Sequence, residues 1–263
     1  MNFLERVRRT TAARLARSKE VVSRERLARI CEGMSPPRSF INACRRPPGE
    51  GIRIIAEVKR ASPSRGPINP GLLTYELARA YERGGADAIS VLTEPEFFSG
   101  CLNDLEDAVR AVELPVLRKD FILDDYQLLE ARACGASAVL LMASLLPPGT
   151  LRGLLGRAGE LGLDALVEVH DERQLAMALE MGAELIGVNN RDLQSLRVDL
   201  GTSKRLLPLI PDGKVAVSES GYSDAAQVAA AMRMGAHAVL VGGALAGHGH
   251  PQSAVAGLKG ARP

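Results

Sequence analysis

The chain has 263 residues, 46% of them apolar and 24% charged, with a mean hydropathy of +0.01 and a formal net charge of +2. That balance describes a soluble globular protein and points to no charged partner. No apolar window approaches the ~20 residues of a bilayer span, and the length suits one parallel barrel of roughly 250 residues as well as two smaller domains. Cys31, Cys44, Cys101 and Cys134 lack CxxC spacing and nearby histidine pairs, so they read as reduced thiols of a cytoplasmic protein, not as a zinc site or a disulfide framework. The N-terminus lacks the apolar core of a secretory signal. Its arginines are interrupted by Glu5, Glu20 and Glu25, which argues against a transit peptide.

In chain order, residues 2–32 read as helical, with Phe3, Val7, Thr11 and Leu15 forming a narrow apolar stripe beside an arginine-rich face. Residues 1–30 carry nine Arg or Lys against three Glu, so any nucleic-acid reading would rest there. No aromatic residues interleave the basic ones, and the preferred reading is a helix packed on the main domain: no nucleic acid and no membrane as partner. Ser35-Pro36-Pro37 and Pro47-Pro48-Gly49 close this extension, giving residues 1–48 to an N-terminal helical element and 49–263 to the main domain.

From Gly51 onward, short apolar runs alternate with helical periods. The runs are Ile52–Val58, Ala88–Leu92, Pro115–Leu117, Ala138–Leu141, Ala165–Val167, Leu185–Val188, Val215–Val217 and Ala238–Val241, with helices expected over Leu72–Arg83, Asp125–Cys134 and Ala225–Met234. Eight such strands imply a parallel sheet covered on both faces, either open and doubly wound or closed. A repeat decides between them. Gly-Ala-x precedes every second strand at Gly85, Gly135, Gly182 and Gly235, spacings of 50, 47 and 53. A two-unit repeat recurring four times makes an eightfold ring, so the fold class is α/β: a (β/α)8 TIM barrel with an N-terminal helical extension.

In such a barrel the site lies at the carboxyl ends of the strands. Those ends read Glu57 and Lys59, Thr93-Glu94, Arg118-Lys119-Asp120, Glu168 and His170, Asn189 and Arg191, Ser218-Glu219-Ser220-Gly221, and Gly242-Gly243. Strand alternation puts Glu57 and Lys59 on one face. Two lysines and three glutamates would converge on one cavity, a clustering hard to explain by structure alone. Ser220-Gly221 and Gly242-Gly243, on strands seven and eight, sit where barrels hold a phosphate with backbone N–H groups and the amino end of a short helix. There is no His-x-His and no carboxylate cluster with ligand spacing at the strand ends, so no metal is expected, and no G-x-G-x-x-G follows the first strand. Proton-transfer chemistry on a phosphorylated small molecule remains.

Several segments carry a family resemblance: Ile55-Ala56-Glu57-Val58-Lys59-Arg60-Ala61-Ser62-Pro63-Ser64-Arg65-Gly66, Ser90-Val91-Leu92-Thr93-Glu94 with Phe97-Phe98-Ser99-Gly100, Leu117-Arg118-Lys119-Asp120-Phe121-Ile122, Leu166-Val167-Glu168-Val169-His170, Ile186-Gly187-Val188-Asn189-Asn190-Arg191-Asp192-Leu193, and Ser218-Glu219-Ser220-Gly221. The chain resembles indole-3-glycerol phosphate synthase. It departs from the expected pattern at Cys101, where serine is common, and at Gly243, where serine or glutamate is frequent.

The resemblance implies ring closure of 1-(2-carboxyphenylamino)-1-deoxyribulose 5-phosphate to indole-3-glycerol phosphate with loss of CO2 and water, without a cofactor, by a monomer. It assigns Lys119 as the acid at the ketone. Lys59 and Glu168 are candidates for the dehydration acid and base, Glu57 and Glu219 set their charge, and Asn189 orients the substrate or the lysines. Ser62 and Arg191 would meet the substrate carboxylate or neighbouring oxygens, Phe97, Phe121 and Leu140 the ring, with Leu193 a further substrate-binding residue, and Ser220, Gly221, Gly242 and Gly243 the phosphate. The alternatives are another phosphate-binding barrel, a phosphoribosyl isomerase or epimerase, or a non-catalytic phosphosugar-binding barrel. The former gives no reason for lysines on both strands one and three, and the latter none for the intact charged set.

Overall fold

The computed structural model describes residues 3–63, 66–69, 71–192 and 195–260. Eight parallel strands close on themselves: β1 (Arg53–Val58), β2 (Ala88–Leu92), β3 (Val116–Lys119), β4 (Ala138–Met142), β5 (Asp164–Val169), β6 (Leu185–Asn189), β7 (Val215–Glu219) and β8 (Ala238–Val241). Closure comes from β1 pairing with β8 on one side, Arg53 opposite Ala238, and with β2 on the other, Ile55 opposite Ala88. The expected TIM barrel is the observed fold. Several strands run one or two residues past the apolar runs, because Lys119, Glu168, Asn189 and Glu219 complete their strands as polar residues. Pro115, placed in the third strand from sequence, precedes it, having no N–H to donate.

The Gly-Ala corners have a single geometry. Gly85, Gly135, Gly182 and Gly235 all take left-handed φ, between 83° and 101°. The next residue's N–H reaches back five residues: Ala86 to Tyr81 O (3.1 Å), Ala136 to Ala131 O (3.0 Å), Ala183 to Ala178 O (3.0 Å) and Ala236 to Ala231 O (3.1 Å). This is the bond pattern that closes a helix on a left-handed residue, where glycine carries no Cβ penalty. The four alanines are buried, so the chain can drop into the next strand directly under the helix it leaves.

The stretch expected as one helix over residues 2–32 is two, α1 (Phe3–Val21) and α2 (Arg24–Glu32). The Ser23 hydroxyl caps α2 by accepting from Arg26 N–H at 3.3 Å, while the Tyr126 hydroxyl lies within 2.9 Å of Ser18 O and 2.8 Å of Val22 O at the end of α1. Val7 and Thr11 of the apolar stripe are buried against the barrel. The basic face is spent on the barrel as well: Arg14 pairs with Asp120 (2.6 Å), Lys19 with Asp124 (2.8 Å), and Arg8 donates to Leu145 O. A third helix, α3 (Phe40–Cys44), is held by Asp164 at the start of β5, which accepts from Ile41 N–H at 2.9 Å. The extension therefore runs from the carboxyl rim, where α1 lies, to the amino end of the barrel.

Candidate active site

The strand register sets the level of each inward side chain. Leu92 lies opposite Lys119, Met142 opposite Glu168, Glu168 opposite Gly187, and Asn189 opposite Glu219. These same-parity residues line or underlie a cavity of about 520 Å³ at the carboxyl end of the barrel. Its lining includes Glu57, Lys59, Ser62, Lys119, Phe121, Leu140, Glu168, Asn189, Arg191, Ser220, Gly221, Gly242 and Gly243, the great majority of the residues expected from sequence. Glu219 is fully buried beneath them, and Phe97 lies behind Phe121 rather than on the wall. Leu193 lies outside the described residues.

The charged floor is one connected cluster. Lys119 Nζ donates to Glu219 Oε2 at 2.6 Å and lies 3.5 Å from Glu57 Oε2, while Lys59 Nζ donates to Glu57 Oε1. Glu168 Oε1 lies 3.4 Å from His170 Nε2. Burial alone would strip Lys119 of its proton, but Glu219, Glu57 and Glu168 together hold it charged and push its pKa up. Burial likewise opposes the charge on Glu57, and the two lysines outweigh it, so its pKa falls. For Glu219 burial wins. With Lys119 already shared and Glu168 and Glu57 repelling further negative charge, it is pushed up to about 7. Glu219, the deepest of the three carboxyls, therefore keeps a proton to near neutrality.

That shift has a measurable consequence for stability. Glu219 titrates near 4.5 when unfolded and about 7 when folded, so between those values the folded chain binds a proton that the unfolded chain has released. Its contribution is fully present below the lower value and is lost as pH rises through 7. Relative to Glu219→Gln, the wild type should lose stability steadily from pH 4.5 to 7 and level off above. Urea unfolding of both proteins across that range tests this; a difference that is flat with pH would refute it.

Two glycines exist to make room for this cluster. A Cβ at Gly187 on β6 would run into Glu219 Oε1 and come within 3.1 Å of Leu166 Cδ1. A Cβ at Gly242 would run into Glu57 Oε1 and lie 2.8 Å from Lys59 Nζ. The carboxylate beneath Gly242 thus gives a reason for glycine there that is separate from the expected phosphate contact. After β8 the chain makes a turn, with Leu245 and Ala246 N–H both donating to Gly242 O (3.0 and 2.9 Å), where a short helix had been expected; Gly242, Gly243 and Gly247 are poor helix formers.

Arg118 and Asp120 flank Lys119 and face the other way, as alternation requires. Arg118 is buried and bonded to Asp120 (2.9 Å), Glu130 (3.1 Å) and Gln127 O (2.7 Å). Asp120 also accepts from Thr93 (2.8 Å) and from Arg14 of α1 (2.6 Å). Through this pair the end of β3 is tied to the N-terminal helix, and that helix delivers a residue the sequence reading passed over. Phe3 lines the pocket, its ring 5.2 Å from Phe97 and 6.3 Å from Phe121, both edge-on. The signal was present, since Phe3 heads the apolar stripe, but nothing local says which end of the barrel the stripe reaches. Asn189 Oδ1 accepts from Arg191 N–H (3.0 Å), and the Arg191 guanidinium donates to Leu196 O (2.8 Å), which commits part of its bonding to the loop after β6.

A family model described as indole-3-glycerol phosphate synthase matches residues 4–258. A relative named indole-3-glycerol phosphate synthase 2 from Streptomyces coelicolor is 47% identical over 235 residues, covering 89% of this chain and 90% of the relative. The indole-3-glycerol phosphate synthase of Chlorobium phaeovibrioides is 49% identical over 81% of this chain and 82% of its own. Among solved structures, thiamine phosphate pyrophosphorylase from Pyrococcus furiosus superposes with a TM-score of 0.60 at 16% identity, covering 79% of this chain and 93% of that one; at that identity the likeness concerns the fold alone.

Proposed function

The chain belongs to the indole-3-glycerol phosphate synthase family, and from that premise we propose how its pocket closes the indole ring. The enzyme is a lyase of tryptophan biosynthesis: 1-(2-carboxyphenylamino)-1-deoxyribulose 5-phosphate enters and indole-3-glycerol phosphate, CO2 and water leave. The observation that carries the residue roles is the Lys119 ammonium, fixed by Glu219 and Glu57 at the floor of a pocket with aromatic residues on one side.

The anthranilate ring lies against Phe3, Phe121 and Leu140, all pocket-lining. As the ring carbon attacks the ketone, negative charge grows on the ketone oxygen. Lys119 donates its proton there, and Glu219 and Glu57 keep the ammonium in place until it is needed. Loss of CO2 is followed by dehydration, with Lys59 giving a proton to the departing hydroxyl and Glu168 taking the remaining one. Asn189 directs its NH2 end toward substrate oxygens, because its Oδ1 is engaged by Arg191 N–H. Ser62 and Arg191 face the substrate carboxylate, and Ser220, Gly221, Gly242 and Gly243 take the phosphate from the backbone.

Among the described residues no helix is long and apolar enough to cross a membrane. A cytoplasmic monomer that uses no nucleic acid fits the α1 stripe, which is buried on its own barrel. Purified protein given the carboxyphenylamino-deoxyribulose phosphate should develop indole fluorescence with substrate loss in equal amounts. Folded protein that gives no signal would refute the assignment.

A further inference from the structure

Asn190 takes no part in the chemistry above, yet its side chain is bonded at both ends beside the site. The turn after β7 is costly: Ser220 holds φ at +67° and Gly221 at +96°, and a non-glycine residue in the left-handed region needs external support. Glu219, which grips Lys119, precedes this turn, and the Ser220 and Gly221 N–H groups form it.

Asn190 Nδ2 lies 3.0 Å from Glu219 O, 3.1 Å from Ser220 O and 3.2 Å from Ser218 Oγ, and its backbone N–H donates to Glu219 O at 2.9 Å. Its Oδ1 accepts from Ser203 N–H at 3.0 Å, which fixes the amide with nitrogen toward the turn and oxygen toward the short helix Gly201–Leu206. Ser218 Oγ in turn sits 2.5 Å from both Ser203 Oγ and the Tyr222 hydroxyl. All four side chains are buried, where polar groups cost free energy unless every bond is made. Apolar packing would fill the same volume more cheaply; what the amide adds is a fixed path for the carbonyls of Glu219 and Ser220.

We propose that Asn190 is a positioning residue for the reaction: its amide holds the left-handed Ser220–Gly221 turn and so fixes together the Glu219 carboxylate behind Lys119 and the backbone N–H pair that takes the phosphate. The phosphate half rests on the cradle reading of Ser220 and Gly221 given above. Removing the amide releases the turn, which loosens phosphate and reacting centre at once.

The test is a cycle of Asn190→Ala, Ser220→Gly and the double variant, followed by kcat, KM and competitive inhibition by inorganic phosphate. Asn190→Ala should raise KM and the phosphate inhibition constant about tenfold and lower kcat as well. Glycine adopts φ +67° without penalty, so in the Ser220→Gly background the same substitution should cost several-fold less. Should Asn190→Ala fold poorly, Asn190→Asp keeps the Ser203 contact and the volume but loses the donors, and the same pattern is expected. Equal factors in both backgrounds, or a lowered Tm with KM and phosphate inhibition within twofold of wild type, would overturn the proposal. Gly221→Ala separates this from failure of the cradle reading: a Cβ there meets Val198 Cγ1 at 2.7 Å and Leu200 Cδ2 at 2.9 Å and must disturb the turn. Phosphate inhibition unchanged in Gly221→Ala removes the cradle and the proposal together. Inhibition weakened there but untouched in Asn190→Ala leaves the cradle standing and removes Asn190 alone.

Discussion

Lys119→Met should lower kcat by about 10⁴-fold while the substrate still binds within several-fold of the wild-type affinity. A positioned general acid contributes 10² to 10⁴ in rate, and a fixed positive charge at a developing oxyanion adds a comparable electrostatic factor; the two overlap in one ammonium, so their full product is not expected. Methionine keeps the length and the apolar stem. The charge it removes leaves Glu219 without its closest partner, but Glu219 already holds a proton to about pH 7, so the variant has a neutral state available and need not unfold. Binding should survive because the proposed ring and phosphate contacts, Phe3, Phe121 and the backbone at Ser220–Gly221, line the pocket independently of the ammonium. Single-turnover assays give the rate, and direct titration of the non-reacting variant gives Kd. A near-wild-type rate would take Lys119 out of its role; a Kd weakened in step with kcat would make it a binding group instead.

The barrel was legible because its corners repeat. Gly-Ala at four evenly spaced positions reports a backbone conformation, left-handed and then buried, that every second unit needs, and a local requirement of that kind survives in a single sequence. The charged floor was legible for a related reason: once the ring is closed, alternation along each strand assigns Glu57, Lys59, Lys119, Glu168 and Glu219 to the inside. What stayed hidden depended on contacts between distant segments. The break at Val22-Ser23 is set partly by Tyr126, a hundred residues on, and the position of Phe3 follows from where Arg14 finds Asp120. Gly242 shows the same limit in another form. Its glycine suggested an anion outside the strand end, and the structure adds a second reason for it, a carboxylate from β1 that sequence alone does not place there.

Gly187→Ala should cost at least 100-fold in kcat/KM although it adds one methyl group and touches no substrate-facing atom. Gly187 lies on β6 level with Glu168, and its missing side chain is the space that Glu219 Oε1 occupies. An alanine Cβ would meet that oxygen well inside contact distance, with the carboxyl carbon at 3.2 Å and Leu166 Cδ1 at 3.1 Å. Neither neighbour can yield cheaply: Leu166 and Glu219 are both fully buried, and Glu219 is bonded to Lys119. The carboxylate must rotate away, and Lys119 then loses the 2.6 Å partner that aims it, keeping only Glu57 at 3.5 Å. A misplacement of that size at a proton donor is enough for a 10²-fold loss. Overpacking by one methyl in a barrel this well filled costs about 1–3 kcal/mol, so folded protein should remain available for assay. The pH signature identifies the cause: a Glu219 carboxyl turned from Lys119 but still buried loses the positive charge that lowers its pKa, so its loss of stability with rising pH should continue above pH 7, where the wild type levels off. A Gly187→Ala protein with unchanged kcat/KM would show that the carboxylate has room the structure does not reveal, and the tight coupling of Glu219 to Lys119 would have to be abandoned.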